Sequence, residues 1–435
     1  MNYKETLEYL FEKTPMFQQR GAIAYKAGLD VTIKLSEYYD NPHRCYKTIH
    51  VAGTNGKGSV SHTLSAILTS AGYKVGLFTS PHLLDFSERI RIDGVTVSKD
   101  YVIDFVSKSE KIIDELKPSF FELTTLMAFC YFRDMNVDIA VIETGMGGRE
   151  DSTNIISPIL SIITNISHDH TQFLGETLQM IAYHKAGIIK DNTPIIIGRK
   201  HTETDYIFMN EAKRHNSRLL FAEDVICFSS FGFDKRKNLL VYDNPDFGRI
   251  EGQLTGIVQE ENTKTILAAI SVLRCCLEIS DDSVLKGFRN VADMTGLKGR
   301  FQTISEKPFV VCDTAHNIDG IKNIVKQLDS IVYDKLHFVF GMVSDKDISS
   351  VLGILPKDAV YYFTKATNKR SLPSDVLASL AWKYNLKGYT FENVPDAYRH
   401  AIEKADENDC VFVGGSNFVV ADFLEYISST HKDTH

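Results

Sequence analysis

No apolar run in this 435-residue chain reaches the ~18 residues that a membrane-spanning helix requires. The first residues, Met1-Asn2-Tyr3-Lys4-Glu5, are polar and lead into no signal-peptide core. A cytoplasmic protein without membrane contact is therefore the expectation. No block of basic residues interrupts a net charge of −8, which argues against a nucleic-acid partner. It leaves room for small anions, which need only a local cluster of amides and one or two cations. The seven cysteines, at 45, 130, 227, 275, 276, 312 and 410, contain no CxxC pair and are odd in number, so they read as reduced core thiols. Internal repeats and low-complexity linkers are also missing, and no exposed apolar stripe is visible, so a monomer is the expectation.

What is present is an α/β alternation. Residues 1–45 hold helical stretches with several tyrosines. Residues 46–52 (YKTIHVA) read as a buried strand and 53–58 as a turn. Val60, Leu64, Ile67, Leu68 and Ala71 then recur at helical spacing until Gly72. Residues 74–79 form the next strand, completing a βαβ opening and predicting a mostly parallel sheet flanked by helices. Further strands are expected over 138–143, 159–165 and 194–197, and helices over 120–135, 177–189 and 260–279. Residues 220–256 carry turn signals that suggest an antiparallel edge or hairpin. A smaller Rossmann-like α/β domain starts near 297, with strands over 309–312, 337–340, 360–364 and 411–413. The expected division is 1–296 and 297–435.

The strand–turn–helix unit encloses Gly53-Thr54-Asn55-Gly56-Lys57-Gly58-Ser59. Such a loop presents backbone N–H groups and a helix N-terminus to phosphate, with Lys57 as a cation and Ser59 as a hydroxyl near metal or phosphate. The match to G-x-x-x-x-G-K-[ST] is imperfect: Val51 replaces the first Gly, and Gly58 separates Lys57 from Ser59.

That variant loop resembles the phosphate loop of the Mur ligase superfamily and, within it, the folylpolyglutamate synthase/dihydrofolate synthase family. The likeness continues in order: Ser80-Pro81-His82-Leu83, Glu88-Arg89-Ile90-Arg91, Glu143-Thr144-Gly145-Met146-Gly147-Gly148-Arg149, Asp151-Ser152-Thr153-Asn154, Asp169-His170-Thr171 and Lys185-Ala186-Gly187-Ile188. Gly299-Arg300-Phe301, Asp313-Thr314-Ala315-His316-Asn317 and Asp345-Lys346-Asp347 complete it. Only 52 residues precede the loop, which favours the folate branch over ligases with a leading UDP-sugar domain.

The resemblance implies an enzyme that spends ATP to phosphorylate a carboxylate, which an amine then attacks. The substrates would be L-glutamate and a folate, with extension of polyglutamate tails or first addition to dihydropteroate left open. Ser80 and Glu143 would hold Mg²⁺ between the β- and γ-phosphates and His170 a second Mg²⁺. Lys185 would be carbamylated, turning a cation into an anion that bridges toward the second metal or orients the acyl phosphate; His184 stands before it where the family usually has Glu. Asn262 matches an adenine-side residue, Arg300 a phosphate ligand, Asp313 a ribose ligand and His316 a catalytic neighbour. Nucleotide contacts from both domains would imply closure before chemistry. The pterin would meet Ala27-Gly28-Leu29, Phe121-Glu122 and the loop Glu150-Asp151-Ser152, although Phe120 and Phe121 could equally be core. The glutamate would lie near His316 or Ser416. The competing readings are a Mur-type ligase for another carboxylate and a nucleotide-binding protein without catalysis.

Overall fold

The computed structural model describes residues 1–14, 28–234 and 237–432, so the predicted pterin contact at Ala27 lies outside the described residues. The chain divides into two compact units, one of Met1–Leu254 with Val258–Leu297 and one of Thr255–Ile257 with Lys298–His435.

The first unit is organised on an eight-stranded sheet. Its strands are β1 (Lys47–Ala52), β2 (Val75–Phe78), β3 (Ile90–Ile92), β4 (Val95–Thr96), β5 (Ile139–Glu143), β6 (Leu160–Ile163), β7 (Ile195–Ile197) and β8 (Leu219–Phe221), in the order β4-β3-β2-β5-β1-β6-β7-β8. From β2 to β8 every pairing is parallel, and β3 and β4 add an antiparallel edge. The central strands are mostly apolar and almost wholly buried because both faces are covered. Ile49, Val51 and Val141 pack with Val60, Leu64 and Ile67 of the Lys57–Ser70 helix and Ile266 and Leu267 of the Gln259–Leu273 helix. On the other face Ala140 and Ile142 meet Leu123, Met127 and Phe129 of the Phe120–Asp134 helix. A separate antiparallel sheet is formed by β9 (Ser230–Asp234), β10 (Leu239–Asn244) and β11 (Gly248–Gly252), in the order β11-β10-β9. The antiparallel expectation there holds, but not as an edge of the main sheet.

The second unit carries β12 (Gln302–Glu306), β13 (Phe309–Asp313), β14 (Leu336–Phe340), β15 (Val360–Phe363), β16 (Gly388–Thr390) and β17 (Cys410–Gly414), ordered β12-β13-β17-β14-β15-β16. All pairings but β12–β13 are parallel. The four anticipated strands are present; β12 and β16 were not anticipated, since QTISE and GYT are half-polar edge segments.

Two expectations need correction. The helix predicted over 260–279 ends at Leu273, because the chain turns at 274–276 and Arg274 Nε binds the Ile279 carbonyl at 2.9 Å. Buried Leu277 and Ile279 prolonged the apolar pattern from outside the helix. The cysteines are not all core thiols: Cys130, Cys312 and Cys410 are buried, whereas Cys45, Cys227, Cys275 and Cys276 lie exposed on segments that only tertiary packing leaves at the surface.

Candidate active site

The loop after β1 leads directly into the Lys57–Ser70 helix. Val60 N–H donates to the Gly56 carbonyl at 2.9 Å, so the N–H groups of Lys57, Gly58 and Ser59 precede the first intrahelical bond and form the anion-binding end of the helix. Gly53 (φ +145°) and Gly56 (φ +84°) are required here: a Cβ on Gly53 would overlap Thr164 Oγ1, and one on Gly56 would overlap Asn262 Oδ1. The predicted adenine-side Asn262 thus lies against the phosphate loop, its Nδ2 held by Gln259 Oε1 at 3.0 Å.

The segment after β6 fixes the first half of the loop. Thr54 N–H donates to the Asn165 carbonyl at 3.0 Å and Asn55 N–H to Asn165 Oδ1 at 2.9 Å. Thr164 Oγ1 donates to the Asn55 carbonyl at 2.6 Å. Two ammonium groups converge on Gly53: Lys185 Nζ donates to its carbonyl at 2.7 Å and Lys57 Nζ at 3.1 Å, the latter also reaching the Thr54 carbonyl at 3.2 Å. Lys185 is 4% exposed. Burial, with Lys57 beside it, pushes its pKa down to about 7, against the pull of Asp169 and Asp151.

Strand register brings Glu143 to this place, since Val51 of β1 pairs with Glu143 at the end of β5. Ser80 N–H donates to Glu143 Oε2 at 3.4 Å, across the end of β2. Glu143 is 3% exposed. Arg89, which sequence reasoning quoted but gave no role, is buried with its positive charge facing Glu143; its Nε donates to His82 Nδ1 at 2.7 Å, and burial lowers its pKa to about 9. Nothing in the local sequence reveals that pairing, which arises across the sheet. His170 has φ +50° and precedes the Thr171–Leu174 helix, with its Nε2 4.0 Å from Asp169 Oδ1.

Among the described residues no three His, Cys, Asp or Glu side chains gather into a metal cluster. One carboxylate with a hydroxyl and an imidazole still suits Mg²⁺, which takes few protein ligands and completes its shell with phosphate oxygens and water.

The predicted pterin contacts lie on or beside three elements that touch one another, the Asp30–Tyr38 helix, the Phe120–Asp134 helix and the Ser152–Ile155 turn. Phe121 is half-buried, its ring 5.8 Å from Phe78. Glu122 is buried and accepts the Ser119 N–H at 2.6 Å in a capping box that starts the Phe120–Asp134 helix. Asp151 is buried; its carboxylate accepts Met146 N–H at 2.8 Å and Thr153 N–H at 3.0 Å, fixing the turn from β5 into Ser152. Burial raises its pKa, and these bonds oppose the rise. Gly28 is exposed, and Leu29 opens the Asp30–Tyr38 helix.

In the second unit, Asp313 ends β13 and accepts Phe301 N–H and Ala315 N–H, each at 2.7 Å. Burial raises its pKa, and the Arg300 guanidinium opposes that. Arg300 donates to Thr314 Oγ1 and to the Gly299 carbonyl. His316 Nδ1–H donates to the Thr314 carbonyl at 2.9 Å. Ser416 is buried and caps the Asn417–Lys432 helix by accepting Val419 N–H at 3.2 Å.

A phosphate loop at the end of a central parallel strand, with a carboxylate on the neighbouring strand and a buried lysine against the loop, defines a nucleotide-binding α/β protein of the Mur ligase type. Residues 51–225 match the Mur ligase middle domain and 299–417 the Mur ligase glutamate ligase domain. The chain belongs to the folylpolyglutamate synthase/dihydrofolate synthase family: it is 30% identical to the Bacillus subtilis dihydrofolate synthase/folylpolyglutamate synthase, over 91% of this chain and 94% of that protein. A Haloferax volcanii relative named as a probable bifunctional folylpolyglutamate synthase/dihydropteroate synthase is 32% identical over 97% of this chain, which spans only 50% of that relative. Among solved structures, E. coli FolC in complex with DHPP and ADP matches at TM-score 0.84 and 28% identity, covering 99% of both chains. A bifunctional folylpolyglutamate synthase/dihydrofolate synthase with Mn, AMPPNP and L-glutamate bound matches at TM-score 0.83 and 29% identity, covering 98% of each. No helix of the described residues is long and apolar enough to cross a membrane.

Proposed function

We propose that this protein uses ATP to activate the carboxylate of a folate and joins L-glutamate to it as an amide. The observation that carries this is the convergence of Lys57 and Lys185 on the Gly53 carbonyl beside the Ser80–Glu143 pair. A carboxylate does not yield to an amine unaided, because oxide is too poor a leaving group. Transfer of the γ-phosphoryl group makes an acyl phosphate; the glutamate amine then adds, phosphate departs and the amine proton is released.

The loop Gly53–Ser59 receives the phosphates, with Lys57 exchanging backbone carbonyls for phosphate oxygens. Ser80 and Glu143 would hold one Mg²⁺ and His170 a second. Bound there, the ions neutralise charge developing on the transferred phosphoryl. Lys185, buried and with much of its population neutral near pH 7, has the reactivity that carbamylation needs: its amine adds to CO₂ and releases a proton, replacing a cation that faces Lys57 with an anion. Asn262 serves adenine, Arg300 phosphate, Asp313 the ribose, and His316 or Ser416 the incoming glutamate. Gly28, Leu29, Phe121, Glu122, Asp151 and Ser152 form the pterin side, Asp151 by holding its turn. Residues 1–296 would then carry the phosphate loop and the folate side, and 297–435 would carry Arg300, Asp313 and the glutamate side, in a monomer.

The test is ADP release by the purified protein with ATP, Mg²⁺ and glutamate, with and without tetrahydrofolate, dihydropteroate or a UDP-linked carboxylate. Release that needs both a pterin and glutamate is expected, and the two pterin arms decide whether first addition is also catalysed. Release independent of pterin and glutamate refutes the reading.

A further inference from the structure

Asn165, which follows β6, holds two consecutive amides of the phosphate loop: Thr54 N–H by its backbone carbonyl and Asn55 N–H by its side-chain Oδ1. The residue is 5% exposed. An asparagine amide can sit either way round, so something must keep the oxygen towards Asn55. Here Asn165 Nδ2 donates to Glu261 Oε1 at 2.9 Å. The other oxygen of that carboxylate, Oε2, accepts from Arg199 Nη1 at 3.4 Å, and Arg199 Nη2 donates to the Ile166 carbonyl at 3.4 Å. A carboxylate only accepts, so Glu261 compels Asn165 to present nitrogen to it and oxygen to the loop. Glu261 lies one residue before Asn262, whose Oδ1 abuts Gly56.

We infer that Asn165 and Glu261, with Arg199 as counter-ion, are positioning residues for nucleotide binding: a polarity-fixed relay that holds the first half of the phosphate loop while its second half meets phosphate. The inference rests on the proposed role of the loop. It makes a particular claim about donors and acceptors. Asn165→Asp still accepts the Asn55 amide but sets a carboxylate oxygen against Glu261. Glu261→Gln has one acceptor for two donors, so either Asn165 or Arg199 faces another N–H. The double variant again pairs a donor with an acceptor in each of these contacts at unchanged net charge. The side-chain nitrogen introduced at position 261 donates to the carboxylate introduced at position 165, and the amide oxygen at 261 accepts from Arg199. The second oxygen of the carboxylate at 165 accepts from Asn55.

The experiment measures ATP affinity by calorimetry and the KM values for ATP, pterin and glutamate, on the full chain of each variant, with melting temperature as a check on folding. Asn165→Asp is expected to weaken ATP about tenfold or more, as for a buried polar group left unmatched, Glu261→Gln less, and the double to recover most of the loss, with KM for pterin and glutamate little changed. Folded single variants of unchanged ATP affinity, or a double no better than Asn165→Asp, overturn the inference. If Asn165→Asp does not fold, the double decides alone: near-native ATP affinity supports the relay and weak affinity refutes it. Lys57→Ala separates the two levels, because ATP affinity unaffected by that change removes the phosphate-loop reading itself, whereas its loss beside silent relay variants removes only the relay.

Discussion

Replacing Lys185 with Met should stabilise the protein at neutral pH while abolishing its activity. The amine's pKa falls from 10.5 to about 7 in the folded chain. At about 1.4 kcal/mol per unit, holding the charged form there costs roughly 5 kcal/mol, and about 4 kcal/mol at pH 7, where half is already neutral. Against this, Met forfeits the bond to the Gly53 carbonyl, worth about 1 kcal/mol, since Lys57 continues to satisfy that oxygen. The net gain is on the order of 1–3 kcal/mol. The sign follows from the depressed pKa: the penalty is absent above pH 10.5, grows as pH falls and is complete below about 7. The advantage of Lys185→Met should therefore be largest near and below pH 7 and vanish towards pH 10.5. The assay is urea unfolding of wild type and variant at several pH values in CO₂-free buffer; adding bicarbonate should shrink the difference, because a carbamate removes the cation. A Met variant no more stable than wild type at pH 7, or a difference that stays flat to pH 10, would refute the reasoning.

Gly56→Ala combines a φ of +84° with overlap onto Asn262 Oδ1, whereas Gly72→Ala, at φ +92°, meets no atom within 4 Å. Both should lose about 1–2 kcal/mol to backbone strain, but only Gly56→Ala should also weaken ATP about tenfold or more, read by calorimetry. Glu143→Gln should cut turnover by about 10²–10³, with ADP release partly restored by raising Mg²⁺; turnover unchanged at limiting Mg²⁺ would remove Glu143 from the metal site. In the second unit Asp409 is buried, and burial tends to raise its pKa. The Asp406 amide and the His337 ring, 3.1 Å away, overcome that and hold it low. Its contribution is present above about pH 3.8, the ordinary value, and lost as pH falls through the lower folded one. Asp409→Asn should lower the urea midpoint at pH 7 and narrow the gap to wild type at pH 3.

The central strands were legible because burial on both faces of a parallel sheet leaves nearly continuous apolar runs, as in IAVIE and LSII. The edges were not: β3, β4 and β16 are short, and all of β3, β4, β12 and β16 are partly polar. Leu277 and Ile279 misled, being apolar because a turn buries them rather than because a helix continues. The site was legible where a motif is contiguous, as in the phosphate loop, and illegible where it is assembled across strands, as with Arg89 facing Glu143 and Asn165 between Asn55 and Glu261.

By itself, then, the sequence determined a phosphate loop with two departures from the common pattern, and those departures with the ordered motifs behind them placed the chain in its family. Local spacing carries this, because a strand, a glycine turn and a helix N-terminus are neighbours along the chain. Only the tertiary structure decided that Lys185 loses its preference for charge, that Glu143 stands beside the loop, and that Asn165 faces Asn55 oxygen-first. Each of these depends on desolvation or on a hydrogen-bond partner between 63 and 132 residues away, and neither cause is written in local spacing.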